Sequence, residues 1–161
     1  MQQRISFCST ADGVRIAYAT VGTGPPLVVA SAGVSHLELE WEEPRVRDFW
    51  ETIGRHHMVV RYDKHGCGLS DRNRTDFSLD SEIRPIEAIV KELGLESFVL
   101  WGQGGGAVPA IGYAVRFPDR VSHLVLSNPG TGILLGGILG GDVSPDTFRA
   151  LMLSNSRIAQ L

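Results

Sequence analysis

Cysteine is scarce, with only Cys8 and Cys67 in 161 residues. Two thiols build no disulfide framework, and their spacing matches no metal-ligand pattern. Long apolar runs are also missing. The most apolar stretch, 130–141, is short and Gly-rich, whereas a membrane helix needs about 20 apolar residues. The N-terminus, MQQRISFCSTADG, has no apolar core of the kind a secretory signal carries. Basic clusters are absent too. Lys and Arg number 15 against 18 Asp and Glu, for a net charge of −3, and nowhere are they dense enough to neutralise a run of phosphates. These absences exclude a disulfide scaffold, a membrane span and a nucleic-acid binder. They set the expectation of a cytoplasmic protein with no nucleic-acid or membrane partner, no metal and no organic cofactor.

What is present is ordinary globular material, 43% apolar and 20% charged. Gly (19) and Pro (8) are raised without reaching disorder. A chain of this length can bury roughly two-thirds of its unfolded surface. Collagen, coiled coil and disordered tail are excluded, and no internal repeat or low-complexity segment is present.

Arg4 to Ser9 and Val14 to Val21 read as two strands around an Asp12-Gly13 turn. Gly22 to Pro26 reads as a loop, because two prolines cannot donate to a ladder. Leu27 to Ala30 and Met58 to Tyr62 are short strands. Val46 to Ile53 is a short helix ended by Gly54. Leu79, Ile83, Ile86, Val90 and Leu93 form one apolar stripe at spacings of 4, 3, 4 and 3. That stripe predicts a helix from about Ser81 to Leu93, capped by Asp80 or Ser81. Gly94 follows as its C′ glycine, and Pro85 falls near the end of the first turn. Phe98 to Trp101 is a strand, Ala107 to Phe117 a helix and Val121 to Ser127 a strand, which makes His123 a packed or edge residue. Ser144-Pro145 opens a last helix. Two antiparallel strands followed by alternating strands and helices imply an α/β fold, a mostly parallel sheet covered on both faces.

Three segments can carry chemistry. The first is Phe98 to Ala107, an apolar strand, a glycine turn and a helix. It matches the frame of the nucleophile elbow G-x-S-x-G, with Gly102 and Gly106 as the flanking glycines and Gln103 and Gly105 beside the apex. The apex itself is Gly104, which has no hydroxyl, thiol or carboxylate. The same residues also fit G-x-G-x-x-G/A as Gly102, Gly104 and Ala107. That dinucleotide fingerprint belongs on a first β-α turn with an acid ending the next strand. Here the turn comes late and the next strand ends in Ser127-Asn128. A turn that only lets strand and helix pack closely is the third reading.

The second segment is Arg61 to Arg72. It resembles the D-x-R-G-x-G-x-S loop after the second parallel strand of α/β-hydrolases, with Lys64-His65 where that family has a residue followed by Arg. The resemblance implies that Asp63, Gly66, Gly68 and Ser70 support a loop beneath the active site. A plain turn with two left-handed glycines fits equally well. Cys67 and His65 have no assigned partner and read as loop residues. The third segment, Ala30 to Trp41, follows the first parallel strand, where the family takes half of its oxyanion hole from a backbone N–H. Ala32-Gly33 or Ser31-Ala32 stands in place of the usual His-Gly, and a backbone donor survives such a change.

Ser35 to Trp41, Gly66 to Asp71 and Val121 to Leu126 together resemble hydrolase-like domains found alone or fused to bacterial adenylate cyclases and LuxR-type regulators. The resemblance covers about residues 10 to 130 and implies ester-type hydrolysis as the family activity. Acyl transfer needs a nucleophile, a histidine and an orienting acid, in the chain order Ser, Asp/Glu, His. Gly104 stands at the nucleophile position and also excludes an Asp nucleophile. None of the five histidines, His36, His56, His57, His65 and His123, falls in a loop after the elbow. Asp142 and Asp146 read as loop and cap acids.

The expectation is therefore a single, incomplete α/β-hydrolase domain over 1–161, with 143–161 starting a cap helix, inactive at its elbow. A small acyl or carboxylate ligand is its expected partner. The alternatives are a non-enzymatic ligand-binding or regulatory module in the old pocket, and a truncated or engineered form of an active serine hydrolase. The Val121 strand is expected as an exposed edge, covered by Ile133 to Leu139 and the last helix, by a second copy, or by a complementing C-terminal segment.

Overall fold

The computed structural model describes residues 1–30 and 33–129. Its strands are β1 (Arg4–Ser9), β2 (Arg15–Val21), β3 (Pro26–Ala30), β4 (Met58–Tyr62), β5 (Phe98–Gln103) and β6 (Val121–Ser127). Its helices are α1 (Leu37–Glu42), α2 (Pro44–Gly54), α3 (Leu79–Glu92) and α4 (Ala107–Arg116). The six strands form one sheet in the order β1-β2-β4-β3-β5-β6. β1 pairs antiparallel with β2 and β2 antiparallel with β4, and the remaining pairs are parallel. This is the α/β architecture the sequence pattern implies.

Alternation of side chains along the strands builds a core on each face. Val28, Ala30, Val60, Tyr62 and Leu100 point to one face, where α3 and α4 bring Ile83, Ile86, Ile89 and Tyr113. Leu27, Val29 and Val59 point to the other, against Trp50 and the partly buried Trp41, Val46 and Trp101. Burying each of those isoleucines contributes about 2 kcal/mol. A strand covered on both faces reads as an unbroken apolar run, and Leu27 to Ala30 is such a run.

The β1–β2 turn is closed by Thr10. Its hydroxyl accepts from Val14 N–H at 2.9 Å, and its carbonyl accepts from Gly13 N–H at 2.9 Å. Gly13 supplies the left-handed conformation, with φ +85.

Several details differ from the sequence expectation. β3 begins at Pro26, because the first position of a strand tolerates a missing donor and the neighbouring Pro25 carbonyl accepts from Met58 N–H at 3.1 Å. α2 starts earlier, at Pro44, with the Glu43 carboxylate accepting from Arg45 N–H. α3 is capped by Ser78, not by Asp80 or Ser81; the Ser78 hydroxyl accepts from Ser81 N–H at 3.3 Å. Pro85 therefore sits in the second turn, inside the helix. Gly94 does end α3, at φ +61, with Leu95 N–H donating to Val90 O and Gly94 N–H to Lys91 O, the paired bonds of a Schellman motif.

α1 was not expected. It has six residues and buries only Leu37, too little apolar periodicity to register in the sequence. His123 is exposed on β6, which is the sheet's last strand among the described residues. The expected helix from Ser144, the cap segment 143–161, Ile133 to Leu139, Asp142, Asp146, and Ser31 and Ala32 of the third motif lie outside the described residues. Among the described residues no helix is long and apolar enough to cross a membrane.

Candidate functional site

The strand β5 ends at Gln103, a single 3-10 turn covers Gly104–Gly106, and α4 begins at Ala107. Gly104 takes the left-handed conformation with φ +50. Gly102 has a different reason to be glycine. A Cβ there would lie 2.6 Å from Ala107 Cα and 2.9 Å from Ala110 Cβ, so the helix start packs directly on the strand. Gly102 also lies in register with Ala30 of β3. The turn thus has the sharp strand-to-helix bend of an elbow, with Gln103 and Gly105 half-buried and Gly106 buried beside it. Gly33 is exposed after the end of β3.

The β4 loop is organised by Asp63, which is fully buried. Its carboxylate accepts from the Ser35 hydroxyl at 2.7 Å, Leu69 N–H at 2.9 Å and Leu37 N–H at 3.3 Å. It therefore ties its own loop to the segment that follows β3. Gly68, at φ +49, must lack a side chain, because a Cβ would lie 2.0 Å from Asp63 Oδ2. Gly66 turns the loop at φ +92. The buried Ser70 hydroxyl donates to Asp63 O and accepts from Ala17 N–H at 2.9 Å, which pins the loop to β2. The sequence motif is thus a structural clasp in this chain. Cys67 is buried within it. His65 lines a separate polar cavity of about 290 Å³ with Asp12 and Arg84, and its Nε2 is buried without a partner among the described residues.

A larger cavity of about 520 Å³ opens at the C-terminal ends of β3, β4 and β5. Val29, Leu37, Val46, Phe49 and Trp50 give it apolar walls, and Ser35, Glu40, Arg45, Arg61 and Gln103 give it polar groups. Gln103 adjoins Gly104, so the cavity reaches the elbow. None of the five histidines lines it. Ends of parallel strands are where ligands bind in open α/β sheets.

Arg61 is the cavity residue that sequence reasoning missed. It is 5% exposed, its guanidinium donates to Glu40 at 3.0 Å and to Gln3 Oε1 at 2.8 Å, and it lies 5.0 Å from the Trp50 ring. Burial pulls its pKa down, while Glu40 and Asp63 hold it up. A lone charge inside an otherwise apolar strand, Met-Val-Val-Arg-Tyr, was the available signal. Trp101 closes the neighbouring wall, donating its indole N–H to Ser127 Oγ at 2.9 Å and packing edge-on to Trp50. Among the described residues, no group of three or more His, Cys, Asp or Glu is placed to hold a metal ion.

The family model for the alpha/beta hydrolase fold matches residues 25–151. The chain belongs to the alpha/beta hydrolase fold family. Among its relatives is a cis-3-alkyl-4-alkyloxetan-2-one decarboxylase of Shewanella oneidensis, 29% identical over 123 residues, covering 74% of this chain and 37% of the relative. Haloalkane dehalogenase 2 of Mycobacterium tuberculosis is 31% identical over 115 residues, covering 71% and 38%. Among solved structures, a hydrolase from Pseudomonas aeruginosa aligns with TM-score 0.67 at 25% identity, covering 76% of this chain and 45% of that one. The epoxide hydrolase CorEH, at TM-score 0.67 and 23% identity, covers 78% and 42% and shares the fold. The chain thus spans about two-fifths of the length of these proteins.

Proposed function

We propose that this hydrolase-fold chain binds a small acyl or carboxylate compound in the cavity beside the elbow and does not cleave it there. The observation that carries the reading is Gly104. It occupies the bend between β5 and α4 with φ +50 and offers no atom that can attack a carbonyl or an alkyl carbon. The pocket remains. It has apolar walls and a few convergent polar groups, the usual make-up of a small-molecule site. The Ala107 N–H is taken by the carbonyls of the 3-10 turn, but backbone donors at a strand-to-helix bend favour a negative or carbonyl oxygen, and recognition by the main chain needs no side chain at 104. This suits a ligand-sensing role of the kind served by hydrolase-like domains attached to bacterial regulators, which the chain resembles in residues 35–41, 66–71 and 121–126.

The test uses a fluorophosphonate probe and p-nitrophenyl acetate on the purified chain and on Gly104→Ser. Neither protein is expected to carry an adduct or to turn over substrate above a heat-denatured control. Even a restored hydroxyl would lack a base, since no histidine lines the cavity. An acyl or phosphonyl adduct on any side chain of the unmodified protein overturns the reading.

A further inference from the structure

The cavity beside the elbow contains two guanidinium groups in different electrostatic situations. Arg61 is neutralised by Glu40 at 3.0 Å and held by Gln3. Asp63, the other buried acid nearby, is saturated by Ser35 and by two backbone N–H groups. Glu43 caps α2 by accepting from Arg45 N–H. Glu38 and Glu42 are exposed. Arg45 lines the cavity from the first turn of α2, yet its side chain forms no ion pair among the described residues. Next to it on the same helix stand the apolar walls Val46, Phe49 and Trp50. Arg45 is exposed at the cavity rim, and because the Glu43 carboxylate already occupies the α2 N-terminus, the guanidinium itself supplies the attraction for an anion.

Building on the cavity reading above, we infer that Arg45 makes this site selective for carboxylic acids with a compact apolar body. The carboxylate meets the Arg45 guanidinium at the rim, and the body lies on Phe49, Trp50 and Val46. The planar fork of arginine matches a carboxylate with two parallel hydrogen bonds. A neutral ester or amide of the same shape keeps the apolar contact and loses that pair. The inference assigns the site to the acid, the kind of compound that ester hydrolysis releases.

The experiment titrates the intact chain with phenylacetate and, separately, with phenylacetamide, following tryptophan fluorescence at low salt. Trp50, which lines the cavity, reports occupancy. The acid is expected to bind about tenfold more tightly than the amide. Arg45→Gln is expected to bring the two within about twofold by weakening the acid alone, and salt at 0.2 M to shrink the preference. Arg47→Gln removes the same charge from the same helix, but Arg47 does not line the cavity; it is expected to keep the preference. Equal binding of both compounds by the unmodified chain overturns the role of Arg45 and leaves the cavity reading standing. So does a preference that survives Arg45→Gln. Failure of the unmodified chain to bind either compound overturns both.

Discussion

Substituting Gly68 with alanine places a methyl carbon 2.0 Å from Asp63 Oδ2, in a residue at φ +49. Two costs follow. The left-handed conformation costs an L-residue about 1–2 kcal/mol. The clash cannot be relieved by Asp63 swinging into water, because that side chain is fully buried and holds Ser35, Leu37 and Leu69. Hydrogen bonds to a charged group contribute about 1.5–3 kcal/mol each, so losing one of them brings the total to about 2.5–5 kcal/mol. Asp63→Ala removes the obstacle along with the hydrogen bonds. In that background Gly68→Ala is expected to incur only the conformational cost of about 1–2 kcal/mol, which leaves a coupling of about 1.5–3 kcal/mol between the two sites. Urea unfolding of the four proteins, read by circular dichroism and tryptophan fluorescence, measures the cycle. If Gly68→Ala costs the same in both backgrounds to within about 0.5 kcal/mol, the clasp does not hold the loop as described.

Other expectations can be checked by similar means. Gly94→Ala, at φ +61 with nothing within 4 Å, is expected to lose about 1 kcal/mol, whereas Gly22→Ala meets Gly54 O at 2.0 Å and is expected to lose several times more in the same urea assay. Burial, with help from Glu92, pushes the Cys8 thiol up to about 11. Roughly one Cys8 thiol in a thousand is thus ionised at pH 8, and peptide mapping after iodoacetamide is expected to show Cys8 alkylated more than about 100-fold faster in urea than in the native protein. Comparable rates would contradict its burial. Arg61→Ala strips the filler between Trp41 and Trp50 and leaves Glu40 without its partner. It is expected to cost about 3 kcal/mol, and Arg61→Met, which keeps the stem, about 1 kcal/mol, because Glu40 is open enough to be hydrated. Equal melting temperatures for the two variants would refute that division.

The sheet and most of its elements were legible because their signals are local. The unbroken apolar runs at 27–30 and 58–60 mark strands covered on both faces. The stripe from Leu79 to Leu93 marks α3, and Asp12-Gly13 marks the hairpin. The Gly102 to Gly106 bend was legible because glycine has few reasons to recur in that frame. α1 was not legible. One buried leucine produces no periodicity, and the helix is fastened by polar contacts from Asp63, Gln3 and Arg61, residues distant in the sequence. The cap of α3 was misplaced by two or three residues, since Ser78, Asp80 and Ser81 all have capping side chains and only the path of the chain chooses among them. The cavity was illegible for the same reason as α1: it gathers Val29, Trp50, Arg61 and Gln103 from four elements, and nothing in the neighbourhood of any one of them announces the others.

The bend at Gly104 has a consequence for stability. With φ +50 at that position, any hydroxyl-bearing residue costs about 1–2 kcal/mol in backbone strain. Glycine is free of that strain, so a side chain placed here lowers stability before it adds any chemistry. Stability and reactivity therefore pull in opposite directions at this bend.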